Sequence, residues 1–220
     1  MKEVKEVKEK AKVKVTVKVK AKEKGGKAAA KAGTPDGKAA TPPAASPASP
    51  GPPGATSPGH LGRVGLLEWL GQRGIEATTV EHPPVLTVEA MLPYLKDVQG
   101  AIVKNLFLKD KKKNLYLLSA EHTREVKLND VAKAVGAKEL RFGDEAVMEE
   151  VLGVSQGCVT AFALVNDTKR QVKFLVDRAL VDGSHQRVNF HPLTNTATTA
   201  VTTEGFNKLL AATGHAVIQF

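Results

Sequence analysis

Cysteine is almost missing from this 220-residue chain. Cys158 stands alone, so no intrachain disulfide and no cysteine-based metal cluster can form. No apolar run approaches the roughly 20 residues of a membrane helix, and lysines occupy the N-terminus where a signal peptide needs an apolar core. Arginine is absent from residues 1–59, which carry four Glu in their first 23 positions. Mitochondrial presequences are Arg-rich and acid-poor, so that leader is disfavoured. Together these absences point to a cytoplasmic, reducing location with no membrane contact. There is also no Walker loop, no GxGxxG and no HExxH. The six histidines, His60, His82, His122, His185, His191 and His215, show no i, i+4 pairing, so neither metal nor cofactor is expected.

What is present is divided unevenly. Residues 1–59 hold 13 Lys against 5 acidic residues, a net +8 of the chain's +9, which leaves residues 60–220 near neutral with 19 basic and 18 acidic side chains. A polyanion-binding surface on the second part must therefore be a local cluster, such as Lys109, Lys111, Lys112 and Lys113. Eight of the twelve prolines lie between Pro35 and Pro58, among Ala, Gly, Ser and Thr. Residues 1–59 read as a disordered Lys-rich arm and a Pro/Ala/Gly linker, either a solubilising tail or an electrostatic arm for RNA.

From His60 onward the pattern is globular. The spacing of Leu61, Val64, Leu67 and Leu70 predicts a helix over 61–73, followed by a strand over 75–80. Thr87 caps a helix that Pro93 shortens or bends. Ala101–Lys109 and Tyr116–Ala120 alternate as a hairpin around the polar tip 110–114. Asn129 and Asp144 are read as caps of two short helices ending at Gly136 and Gly153. Val159–Val165 and Gln171–Asp177 read as strands joined by a turn at 166–169, and Arg187–Phe190, Thr198–Val201 and Ala216–Phe220 as further strands, with Thr203 capping a helix over 204–213. The class expected is α+β, a single mixed, largely antiparallel sheet with flanking helices in one domain over 60–220.

Three polar pieces remain once the apolar positions are assigned to a core. Lys104–Asn105 interrupts an apolar strand. A lysine there either grips a charged substrate or packs its stem and extends its head to water. The segment Gly153–Thr160, with Gly153, Ser155, Gln156, Gly157 and Thr160, either turns successive N–H groups toward an oxyanion or simply needs glycine for a tight turn. Phe190–Thr196 places His191, Asn195 and Thr196 after a strand, facing a substrate or satisfying their own loop.

Three segments carry a resemblance: VKNLFLKDKKKNLYLL, LRFGDEAVMEEVLGVSQGCVTAFALVND and VNFHPLTNTATTAVTTEGFNKLLAATGH. In this order, across residues 61–220, the chain resembles the YbaK/prolyl-tRNA-synthetase-associated editing family. Members hydrolyse the ester joining a wrong amino acid to tRNA, and the resemblance implies alanyl-tRNA(Pro) as substrate. It assigns Lys104, Gly153, Ser155, Gly157 and His191 to the catalytic centre, and Asn105, Gln156, Thr160, Asn195 and Thr196 to the substrate. It implies tRNA as partner through its acceptor end and 3′-terminal adenosine, together with prolyl-tRNA synthetase. Gln156 departs from the family, because many bacterial relatives have proline there. A non-catalytic tRNA- or synthetase-binding module, or a deacylase for cysteinyl- or seryl-tRNA, fits the same residues.

Overall fold

The computed structural model describes residues 59–220; the expected arm and linker over 1–58 lie outside them. The first helix, α1 (Arg63–Gly71), buries Leu66 and Leu70 and leads to β1 (Ala77–Glu81). Thr87 caps α2 (Val88–Met91) by accepting the Ala90 N–H, and Pro93 then tightens the chain into a 3-10 turn over Leu92–Tyr94. The hairpin follows as β2 (Ala101–Lys109) and β3 (Leu115–Glu121). Its tip is organised by buried Asp110, whose carboxylate accepts from the Lys112 and Asn114 N–H groups and from the Asn114 side chain. Burial pushes the Asp110 pKa up, but these bonds outweigh it and leave the carboxyl below its usual range.

Next come α3 (Leu128–Ala134), the two-residue β4 (Arg141–Phe142) and α4 (Glu145–Leu152), which stops at Gly153 in the left-handed region, φ 66°. The remaining elements are β5 (Val172–Val176), β6 (Arg187–Phe190), β7 (Ala197–Thr202), α5 (Thr203–Thr213) and β8 (Val217–Gln219). The strands form one sheet in the order β1-β7-β6-β2-β3-β5-β8, with β4 beside β2. The β1–β7, β6–β7, β2–β3 and β2–β4 pairs are antiparallel, and β2–β6, β3–β5 and β5–β8 are parallel. The fold is the expected α+β class with a mixed sheet.

Four local readings change. Ala161–Val165 is a buried 3-10 turn and not a strand: Thr160 caps it by accepting the Phe162 N–H, while β3 pairs in parallel with β5 and leaves that stretch no place in the sheet. A short all-apolar run does not distinguish the two by periodicity. The helix expected to be capped by Asn129 begins earlier, after Lys127, with no side-chain cap. Asp144 sits at the N-cap of α4 but turns its carboxylate to Lys109. Thr202, one residue before the expected Thr203, caps α5 through the Gly205 N–H.

One face of the sheet holds the main core. Phe162, Phe190, Phe206 and Phe174 form a chain of tilted and edge-on rings with centroids 4.8–6.2 Å apart. Val103 and Phe107 of β2 point into this core, whereas Leu106 and Leu108 point to a second cluster under α3. Alternation along β2 therefore divides its side chains between two separate cores, as the sequence pattern requires.

A candidate functional site where the sheet parts

The central strand β2 has an incomplete partner on one side. It pairs with β6 only at Ala101 and Ile102, and with β4 only at Leu108 and Lys109. The Ile102 carbonyl accepts from His122 N–H on the β3 side, while the Phe107 carbonyl accepts from Gly143 N–H on the other. Successive residues alternate sides, so the main-chain groups of Val103 and Asn105 face the gap between β6 and β4. A cavity of about 440 Å³ occupies that gap. Its walls include Leu86–Val88 before and within α2, Val103–Phe107 of β2, Phe142–Gly143 and Glu145 at the start of α4, Gln156–Gly157, and His191.

The cavity brings together Lys104, Asn105, Gln156, Gly157 and His191, five of the ten residues singled out from sequence. Lys104 and Asn105 leave opposite faces of β2. The Lys104 ammonium donates to the Arg124 carbonyl and, at 3.3 Å, to that of His122, where the chain leaves β3. Asn105 Oδ1 accepts from the buried Ser119 hydroxyl at 2.6 Å across the β2–β3 pair. His191 Nδ1 lies 3.1 Å from the Ala197 carbonyl. A carbonyl only accepts, so Nδ1 carries the proton and Nε2 of the neutral ring is left as an acceptor. Burial, aided by nearby His82 and opposed by the Ala197 bond, holds the His191 pKa below its usual value.

The glycine segment behaves differently at its two ends. Gly157 has φ 85°, and a Cβ there would come within 2.8 Å of Leu86 Cδ2 and 3.7 Å of Asn195 Nδ2. Only glycine allows that approach. The Gln156 N–H donates to Glu145 Oε1 at 3.1 Å and that of Cys158 to the Ser155 carbonyl, so of the two cavity-wall amides of this loop it is Gly157 that remains for a substrate oxygen.

The other five expected residues lie outside the cavity wall. Gly153 ends α4 beneath His60, whose ring a Cβ would meet at 2.8 Å. Ser155 is exposed, with its hydroxyl 3.8 Å from Cys158 Sγ. Thr160 is the buried cap already described. Asn195 backs the wall behind Gly157, with its carbonyl accepting from Val85 N–H, and Thr196 pairs its hydroxyl with Thr194 at 3.0 Å. Sequence reasoning did not find Leu86, Phe142 or Glu145. Glu145 reads as an ordinary first-turn acid and Leu86 as loop; the one available signal was Phe142, an apolar residue with no helical or alternating partner.

The model of the aminoacyl-tRNA editing domain matches residues 82–209, which span every wall of the cavity. The chain belongs to this family. It is 46% identical over 156 residues to the mouse "Prolyl-tRNA synthetase associated domain-containing protein 1", covering 70% of this chain and 92% of that one. The Xenopus laevis protein of the same name is 47% identical with the same coverage. A bacterial relative from Acetoanaerobium sticklandii, "Prolyl-tRNA editing protein ProX", is 33% identical over 151 residues, covering 68% of this chain and 91% of that one. Among solved structures, a candidate trans-editing enzyme for prolyl tRNA synthetase superposes with a TM-score of 0.54 at 25% identity, covering 71% of this chain and 93% of that one. Within the matched span, Gly157, Leu86 and His191 line the same cavity.

Proposed function

We propose that this chain is a trans-editing deacylase that hydrolyses the ester of a mischarged tRNA, with alanyl-tRNA(Pro) as substrate. The observation that carries the reading is the pairing, at one cavity, of a neutral histidine acceptor with a glycine amide whose neighbours are already engaged. Water attacks the ester carbonyl carbon, His191 Nε2 takes the water's proton, and the Gly157 N–H stabilises the oxygen that gains charge. The carbon–oxygen bond to the ribose then breaks, the proton passes to the ribose oxygen, and free amino acid and uncharged tRNA leave. Lys104, whose ammonium is held by the Arg124 and His122 carbonyls, serves the terminal nucleotide, because no carboxylate neutralises its charge.

Such a sieve answers a physical need. Pocket contacts distinguish one methylene by only about 1–3 kcal/mol, so a synthetase gains from a second hydrolytic check. In this reading residues 60–220 are the cytoplasmic deacylase domain, prolyl-tRNA synthetase supplies the mischarged product, and residues 1–59 add salt-sensitive affinity for RNA.

The test is release of free amino acid from a panel of alanyl-, cysteinyl-, seryl- and prolyl-tRNA, by the full chain and by residues 59–220, at two salt concentrations. Preferential turnover of alanyl-tRNA(Pro), with a steeper salt dependence for the full chain, is expected. Binding without release from any substrate would make the protein a non-catalytic tRNA module, and equal salt slopes would remove the arm.

A further inference from the structure

Phe142 is 65% exposed although it stands in a strand beside the central strand of the sheet. It lies directly opposite Leu108 in the β2–β4 pair, so its ring leaves the same face of the sheet as Leu106 and Lys104. It also lines the cavity. Its outer face therefore forms a ledge at one end of the gap, with the unpaired main-chain edge of β2 running from it toward Lys104.

The charges around this ledge are of one prevailing sign. Arg141, Lys112, Lys113 and Lys138 are exposed, and Arg141 and Lys113 lie close enough to Asp144 to add to the pull of Lys109, which bonds its carboxylate and holds it below the usual range. Lys109 and Lys111 are committed to Asp144 and Glu139, which leaves the other four cations to act outward.

We infer that Phe142 is the stacking platform for the terminal base of the RNA whose acyl end enters the cavity. This rests on the deacylase reading for the identity of the ligand. Three observations select a nucleobase. The ring is a flat apolar surface open to solvent, which a π-face covers well. The adjoining edge of β2 offers an N–H and a C=O from Asn105 side by side, the donor–acceptor pair that a base edge presents in reverse. The flanking cations suit phosphates on either side of the stacked nucleotide. A protein partner docking on the same ring would use none of the last two.

The experiment measures binding of uncharged tRNA with a complete CCA end and of the same tRNA lacking its terminal adenosine, to the full chain and to its Phe142→Ala and Phe142→Trp variants. Stacking of one base on an aromatic side chain predicts that the full chain prefers the complete end by roughly 10- to 100-fold, that Phe142→Ala loses most of this preference, and that Phe142→Trp keeps it. Equal preference in the full chain and in Phe142→Ala, no preference in the full chain, or no binding to either RNA would overturn the inference. Phe142 is exposed, so folding is not at issue, and circular dichroism of each variant checks this. The binding readout is independent of hydrolysis: loss of deacylation in the unaltered chain would end the functional reading alone, while turnover with an indifferent Phe142 would end this inference alone.

Discussion

At the scale of single residues, the site is set by which polar atoms are already occupied. His191 shows this most plainly, because the Ala197 carbonyl fixes its tautomer and burial disfavours its charged form. If the neutral ring is the base proposed above, activity should persist through neutral pH and fall only as pH drops through the depressed pKa. The acid limb of kcat/KM should therefore lie below about 6.5, the ordinary histidine value, and His191→Ala should abolish that limb along with most of the rate. The same lowered pKa means that the unfolded chain takes up the proton first, so this group lowers stability as pH falls below about 6.5. Lys104 is held by two carbonyls and not by a carboxylate, which leaves its charge available to a phosphate. Lys104→Ala should reduce kcat/KM on alanyl-tRNA about 10- to 100-fold, the worth of one charge-assisted hydrogen bond, and undiminished deacylation would remove Lys104 from the mechanism.

At the scale of elements, the wall of the cavity depends on a bond between the first turn of α4 and the loop after it. Glu145 receives the Gln156 N–H and so closes the chain back across its own helix. Glu145→Ala should speed hydrogen exchange at Gln156 and lower kcat/KM several-fold while leaving the melting temperature almost unchanged, since the carboxylate is exposed. Elements with strong local signals were legible in the sequence. Alternation gave the β2–β3 hairpin, Thr87 the start of α2, and the glycine at 153 the end of α4. The 3-10 turn over Ala161–Val165 was not, because an all-apolar buried stretch carries no period. Of the site, the residues with unusual company in sequence, such as Lys104 and Gly157, were legible. Leu86 and Glu145 were not, because each acquires its role only when α2 and α4 are brought beside β2.

At the scale of the whole molecule, the half of the sheet away from the cavity is fastened by a buried pair. His215 Nε2 lies 3.2 Å from Asp167 Oδ2, with both side chains essentially inaccessible, and the same carboxylate accepts the Val172 N–H at the start of β5. Burial pushes the Asp167 pKa up, but His215 and the backbone donors outweigh it and leave the carboxyl below its usual range. Its stabilisation is present at neutral pH and is lost as pH falls through that lowered value. Asp167→Ala leaves the buried His215 Nε2 and the Val172 N–H without their acceptor and should cost about 1–3 kcal/mol for each, read as a lower urea midpoint. The gap in the sheet has a further consequence at this scale. A strand edge with free donors and acceptors is what other chains extend when proteins aggregate. Here the free edge of β2 is recessed between Leu86, Phe142 and His191, side chains that a neighbouring strand would have to displace to pair with it. Main-chain chemistry is thus offered to a ligand without exposing the molecule to fibre-forming self-association.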